Sequence, residues 1–169
     1  MDFKILYIEN TDDGRQVFSH WTSDKYDLTI VEDLIDLDER LYDMGGYEEY
    51  DALVIDLALE MSPGIAMEDL ESEIPGFSGI DYTQVGGGIT LLGFDYFKHV
   101  VNIREETEKM VAEGRVILFT GHAKIIKRDN KYTEDKFPTT PLIDRSDPNW
   151  TDLLEQIFNR LKNKKHSAD

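Results

Sequence analysis

Apolar residues in this chain form short runs that are separated by longer segments of mixed polarity. Four runs, at residues 4–8, 28–31, 52–55 and 115–119, are rich in Ile, Leu and Val, and a weaker fifth run covers 141–143. Near-continuous apolar runs of this length are typical of strands that are covered on both faces. The pattern therefore predicts five buried strands.

The segments between these runs predict helices. Residues 11–23 follow the first strand, and residues 34–44 follow the second strand and stop at two glycines, which suit a helix end. A third helix is predicted over 89–112, before Gly114. Strands that alternate with helices indicate an α/β fold with a parallel sheet and right-handed crossovers.

The last helix has the clearest pattern, because six apolar residues recur at spacings of three and four and so form one stripe. These residues are Trp150, Leu153, Leu154, Ile157, Phe158 and Leu161. Asp147 is expected to cap the helix and Pro148 to occupy its first position. A short basic tail over 162–169 is expected to follow it.

Two segments fit the alternation less well. Residues 58–87 are long, acidic and rich in Gly and Pro, which indicates an insertion between the third strand and its helix. Residues 124–140 are polar and poorly periodic, so we expect a short or irregular helix there. The 169 residues are otherwise of a size that suits one domain.

Composition narrows the functional classes. The formal net charge is −17, which repels phosphate backbones and argues against nucleic-acid binding, although it suits a basic partner protein. Cysteine is absent, so disulfides and thiolate chemistry are excluded, and a reducing, cytoplasmic location is expected. No apolar run approaches the length that spans a membrane, and no signal peptide is recognisable.

Polar side chains follow the predicted strands, where the carboxyl ends of a parallel sheet bring them to one edge. Glu9 and Asn10 follow the first strand, Asp56 the third, Thr120 the fourth and Arg145 the fifth. An acidic pocket of this kind suits a hard divalent cation such as Mg²⁺. A carboxylate there can attack phosphorus, while a hydroxyl and a cation hold the remaining phosphoryl oxygens.

The order and spacing of these groups resemble the receiver domain of two-component response regulators. The segments that carry the resemblance are 5–10, 50–57, 88–92, 116–123 and 141–148. The resemblance implies a flavodoxin-like, doubly wound, five-stranded parallel sheet in the order 2-1-3-4-5, with helices on both faces. It also implies a signalling domain that receives a phosphoryl group from a histidine kinase or phosphotransfer protein and acts through a downstream protein partner.

By the same resemblance, Asp56 is the phosphoacceptor and Thr120 is the switch hydroxyl. Glu9, Asn10 and Asp56 correspond to the residues that hold Mg²⁺, and Arg145 stands where the family keeps a lysine. The family's acidic pair is most often Asp-Asp, so Glu9-Asn10 is a departure, and Asp12 or Asp13 is an alternative ligand. Arginine differs from lysine because its planar fork binds oxyanions bidentately and can also lock onto Asp56.

Three functions remain open at this point. The first is a phosphorylatable receiver, with catalysis limited to self-phosphorylation and slow autodephosphorylation. The second is a pseudo-receiver, an interaction module whose pocket Arg145 fixes in one state and whose acidic insertion is a docking element. The third, a metal-dependent hydrolase, is the least favoured because no general base or second metal site is evident.

Overall fold

The computed structural model describes residues 2–61 and 64–168. Residues 62 and 63 of the predicted insertion and residue 169 of the predicted tail lie outside the described part. The strands are β1 Lys4–Ile8, β2 Asp27–Val31, β3 Ala52–Asp56, β4 Gln84–Val85, β5 Ile89–Thr90, β6 Val116–Thr120 and β7 Leu142–Asp144. The helices are α1 Asp12–Thr22, α2 Leu34–Asp38, α3 Gly46–Glu49, α4 Met67–Glu73, α5 Leu92–Tyr96, α6 Glu105–Ala112, α7 Ala123–Arg128 and α8 Trp150–Ala168.

Five of the strands form one parallel sheet in the order β2-β1-β3-β6-β7. Numbered within the sheet, this is the order 2-1-3-4-5, so the predicted α/β fold and its flavodoxin-like topology are confirmed. Ile8 pairs with Ile55, Asp56 pairs with Phe119, and Thr120 pairs with Asp144. This register brings the carboxyl ends of the inner strands to the same edge of the sheet.

Alternate residues of each strand enter two separate cores. On β1, Ile5 and Tyr7 point toward α1 and α8, whereas Leu6 and Ile8 point toward the helices of the other face. All four are fully buried. Burial of each such side chain contributes about 1.5–3 kcal/mol, so both faces of the sheet are strongly held.

An aromatic cluster fills the core between α1, α8 and the sheet. The ring of Trp150 lies 5.4 Å from that of Trp21 and 5.3 Å from that of Phe119, measured between centroids. Phe18 packs between them, with its ring 5.9 Å from that of Phe119. The apolar stripe predicted on the last helix therefore covers this face, as the sequence pattern indicated.

The prediction of a helix over 89–112 is wrong at its start, and the helical part that follows is interrupted in the middle. Residues 89 and 90 form β5, which pairs antiparallel with β4 in a hairpin. Gly87 and Gly88 close the hairpin with φ of 84° and 77°, which glycine adopts without steric cost. The helix then runs through α5 and a π-helical turn at Phe97–Val101, and α6 begins as a separate helix at Glu105.

The acidic insertion folds onto the sheet domain. Its helix α4 and the turn after it bury Leu70, Ile74 and Phe77 in the core on the α2 side. Asp95 of α5 is also fully buried and accepts hydrogen bonds from the backbone N–H of Thr83 at 2.9 Å and from its hydroxyl at 2.6 Å. The insertion is therefore an ordered part of the core in its described residues.

The remaining expectations are confirmed in part. The second predicted helix is present as α2 followed by a π-helical turn at Glu39–Asp43, and the segment after β6 holds only the short α7, as expected. The prediction of a separate basic tail after the last helix is wrong, because α8 continues to Ala168. The cap is also displaced: the Asp147 carboxylate accepts from the backbone N–H of Asn149, and Pro148 precedes the helix.

Candidate functional site

The carboxyl edge of the sheet brings the predicted site residues together. Asp56 is 2% exposed at the end of β3, and Glu9 and Thr120 are completely buried on the neighbouring strand ends. Arg145 follows β7 and reaches back over β6 with its side chain 30% exposed. Asn10 lies beside Glu9, and its side-chain amide donates to the carbonyl of Glu60.

Arg145 bridges the two buried carboxylates. Its Nη1 lies 2.7 Å from Oε2 of Glu9, and its Nη2 lies 3.4 Å from Oδ2 of Asp56. The guanidinium carbon also lies 5.5 Å from the centre of the Phe119 ring, which supports the cation from one side. A single side chain thus neutralises one of the two charges and fixes the spacing between both acids.

Glu9 is held from several directions. Its Oε1 accepts from the backbone N–H of Thr11 at 2.9 Å and from the Thr11 hydroxyl at 3.0 Å. Its Oε2 accepts from the Tyr7 hydroxyl at 3.2 Å as well as from Arg145. A Cβ at Gly14 of α1 would lie 2.3 Å from Oε2, so glycine leaves the room that this carboxylate needs.

The two carboxyls differ in acidity. Burial and the charge of Glu9 raise the pKa of Asp56, Arg145 counters them in part, and the net value is about 7. Burial also acts against the ionised form of Glu9, but the hydrogen bonds from Thr11, Asp56 and Arg145 outweigh it and lower its pKa. At neutral pH the pair therefore carries one firmly ionised carboxylate, Glu9, and one carboxyl that is protonated about half of the time.

The backbone around Asp56 is tightly packed. Asp56 Oδ1 accepts from the backbone N–H of Ala58 at 3.3 Å. Gly93 of α5 lies against the strand end, where a Cβ would be 1.9 Å from the Asp56 carbonyl oxygen. The hydroxyl oxygen of Thr120, on the next strand, accepts from the backbone N–H of His122 at 3.1 Å.

The residues fit a divalent cation poorly. Both oxygens of Glu9 are already hydrogen bonded, and the Asn10 amide donates to the carbonyl of Glu60. Asp12, an alternative ligand, is exposed and pairs with Arg15. Within residues 2–61 and 64–168, no group of three or more Asp, Glu, His or Cys side chains is arranged to hold a metal. One feature favours a ligand here, since the buried Oδ1 of Asn10 lacks a hydrogen-bond partner among the described atoms.

Three residues of the site were not predicted from the sequence. Tyr7 lies two positions before Glu9, so the two-residue period of a strand already places both side chains on the same face. Thr11 is also the N-cap of α1 and accepts from Gly14, in the pattern that starts many helices. The need for glycine at position 14 arises only from the packing of α1 on Glu9, for which the sequence gives no signal.

Comparison with protein-family models and with curated proteins finds no match to this chain. None of the helices in the described residues combines the length and the apolarity that crossing a bilayer requires.

Proposed function

We propose that this chain is a receiver-like signalling domain that works as a protein-interaction module without being phosphorylated. The observation that carries the proposal is the bridge from Arg145 to Glu9 and Asp56. Arg145 stands where the family keeps a lysine, and its guanidinium joins both buried carboxylates in one ion-paired group.

Electrostatics favour the bridged pocket over a cation-bound one. At 2.7 Å and an effective dielectric of 20, a guanidinium and a carboxylate attract each other by about 6 kcal/mol before the cost of desolvation. With Glu9 ionised, Arg145 charged and Asp56 half protonated, the net charge of the three groups lies between zero and −1. A divalent cation gains little from such a pocket.

The state of Asp56 also argues against phosphoryl acceptance. A protonated carboxyl is a poor nucleophile, and burial together with Glu9 keeps the pKa of Asp56 near 7. The side chain is 3% exposed and paired with Arg145, so a phosphoryl donor has little access to it in this conformation. The closed pocket is therefore a structural lock on one conformation.

A phosphorylatable receiver is the second candidate. It is favoured by the convergence of Asp56, Thr120 and Arg145 on one edge and by Oδ1 of Asn10, which has no hydrogen-bond partner within residues 2–61 and 64–168. In that function Asp56, Asn10 and Glu9 would hold Mg²⁺, which neutralises phosphoryl charge when bound. An Asp56 oxygen would attack phosphorus as the histidine nitrogen of a kinase or phosphotransfer protein leaves. Thr120 and Arg145 would then hold the phosphoryl oxygens.

Intact-mass measurement distinguishes the two candidates. The protein is incubated with acetyl phosphate and Mg²⁺, in parallel with Asp56→Ala and with Asp24→Ala, an exposed control. We expect no phosphate adduct in any of the three, and no heat of Mg²⁺ binding by calorimetry. An adduct that is present in the wild type and in Asp24→Ala but absent from Asp56→Ala would replace the proposal with the phosphorylatable receiver.

A further inference from the structure

A groove lies beside the Asp56 pocket, between the end of β3, the helix α4 and the β4–β5 hairpin. Its volume is about 630 Å³. The lining is largely apolar and is formed by Met61, Met67, Tyr82, Ile89 and Leu92. All but Leu92 are partly exposed, so the groove opens to the surface. Methionine suits such a surface because its flexible thioether adapts to different partners.

The segment that builds most of this groove carries only negative charge. Residues 57–94 contain six Asp or Glu and no Lys, Arg or His. Glu60 lines the groove, and Glu68 is exposed next to Met67 on α4. The Tyr82 hydroxyl donates to Glu71 at 3.0 Å, and burial together with Glu71 raises the pKa of Tyr82 to about 12.

Two cations that pack near the hairpin are already paired with carboxylates. Lys98 lies 3.5 Å from the buried carboxylate of Asp95. Arg128 pairs with Asp129 at 3.1 Å. Each of these cations is thus matched by its own carboxylate, and the acidic residues of the insertion are left to face outward.

We propose that this groove binds a basic, amphipathic segment of a partner protein, with the apolar side chains of that segment in the groove and its cations toward the acidic rim. The charge complementarity selects this occupant, because an acidic peptide, a nucleic acid or an anionic membrane meets repulsion at the rim. The inference deepens the proposed function, on which it rests, by naming the class of partner.

The groove and the Asp56 pocket share backbone. Asn10 donates to the carbonyl of Glu60, and the N–H of Ala58 donates to Asp56, so residues 58–60 form the wall between the two sites. On the other side, the backbone of His122, which also lines the groove, donates to Thr120. The pocket closed by Arg145 thereby fixes the wall against which the partner segment binds.

Fluorescence anisotropy with a designed peptide tests the groove. The probe is a labelled peptide of Lys and Leu with Leu at i, i+3, i+4 and i+7, and a scrambled peptide of the same composition is its control. Glu60→Gln with Glu68→Gln removes two rim charges, and Glu105→Gln with Glu108→Gln removes two exposed charges from α6 as the matched control. Met67→Gln alters the apolar lining.

We expect the patterned peptide to bind more tightly than the scrambled one. The rim variant should weaken its Kd about fivefold and Met67→Gln about fivefold or more, whereas the α6 variant should change it less than twofold. Equal weakening by both charge pairs, or equal binding of the scrambled peptide, would overturn the proposal. Concentration-dependent dimerisation that the rim variant abolishes would assign the groove to a second copy of the chain instead.

This test and the phosphorylation test fail separately. If the peptides are not discriminated and no phosphate adduct forms, the groove is excluded as the binding site, and the proposed interaction module stands without an assigned class of partner. If a phosphate adduct forms and the peptides are still discriminated, the groove is supported as a binding site and the non-phosphorylated function is excluded.

Discussion

Replacing Asp56 by asparagine should stabilise the protein at alkaline pH. Asparagine has the shape of the protonated carboxyl, can donate to Glu9 and can still accept from the backbone N–H of Ala58. It removes the need to ionise a buried group that lies beside another carboxylate. The variant therefore reproduces the low-pH form of the pocket at every pH.

The size of the effect follows from the pKa of Asp56. Burial and Glu9 raise it from an ordinary 3.8 to about 7. Between these values the folded protein binds more protons than the unfolded chain, so the stability from this group is complete below pH 3.8 and falls as pH rises through 7. The full difference is about 4 kcal/mol, of which about 3 kcal/mol lies between pH 5 and pH 8.

Urea unfolding followed by circular dichroism at pH 5, 6, 7 and 8 measures this difference. The stability of Asp56→Asn relative to the wild type should grow by about 3 kcal/mol from pH 5 to pH 8. Asp24→Asn, which changes an exposed carboxylate, is the control and should follow the wild type. A constant offset between Asp56→Asn and the wild type at all pH values would refute the reasoning, because it would mean that Asp56 does not titrate in this range.

Three further substitutions probe the same pocket. Gly14→Ala places a methyl group 2.3 Å from the Glu9 carboxylate and should lower the free energy of unfolding by about 1–3 kcal/mol, measured by thermal unfolding. A loss no larger than that of a substitution at an exposed helix position would contradict this packing. In Gly93→Ala the new Cβ would lie 1.9 Å from the carbonyl oxygen of Asp56. Because that oxygen belongs to the backbone and cannot move aside easily, the yield of soluble folded protein should fall sharply. A variant with native circular dichroism and Tm would contradict this. Arg145→Gln removes the cation that holds down the pKa of Asp56, so carbon-detected NMR should show this carboxyl titrating above pH 7, and an unchanged midpoint would separate Arg145 from the pair.

The sheet was predictable because its strands carry their own signal. Runs such as Ala52–Asp56 are apolar at every position up to the terminal carboxylate, as burial on both faces requires. The helix over 89–112 was mispredicted because Ile89 and Thr90 fit a strand and a helix equally well by periodicity. Pairing with Gln84 and Val85 decides between them, and that pairing depends on the glycine turn.

The convergence of Asp56, Thr120 and Arg145 could be predicted from topology alone, since parallel strands end at one edge. The partners of each side chain could not. Arg145 lies 136 positions from Glu9 in the sequence, and whether its guanidinium contacts one carboxylate or both depends on side-chain geometry. The same is true of Asn10, whose amide is drawn to Glu60 by the path that the insertion takes.

The position of Trp150 gives this protein an internal optical reporter. Its indole ring lies 5.3 Å from the ring of Phe119, and the centre of that ring is also 5.5 Å from the guanidinium carbon of Arg145. A movement of the Arg145 side chain changes the surroundings of Phe119, and through Phe119 it changes the environment of the fluorescent indole of Trp150. Because Trp21 lies 5.4 Å from Trp150, the two indoles also interact directly, and near-ultraviolet circular dichroism follows the pocket without an added label.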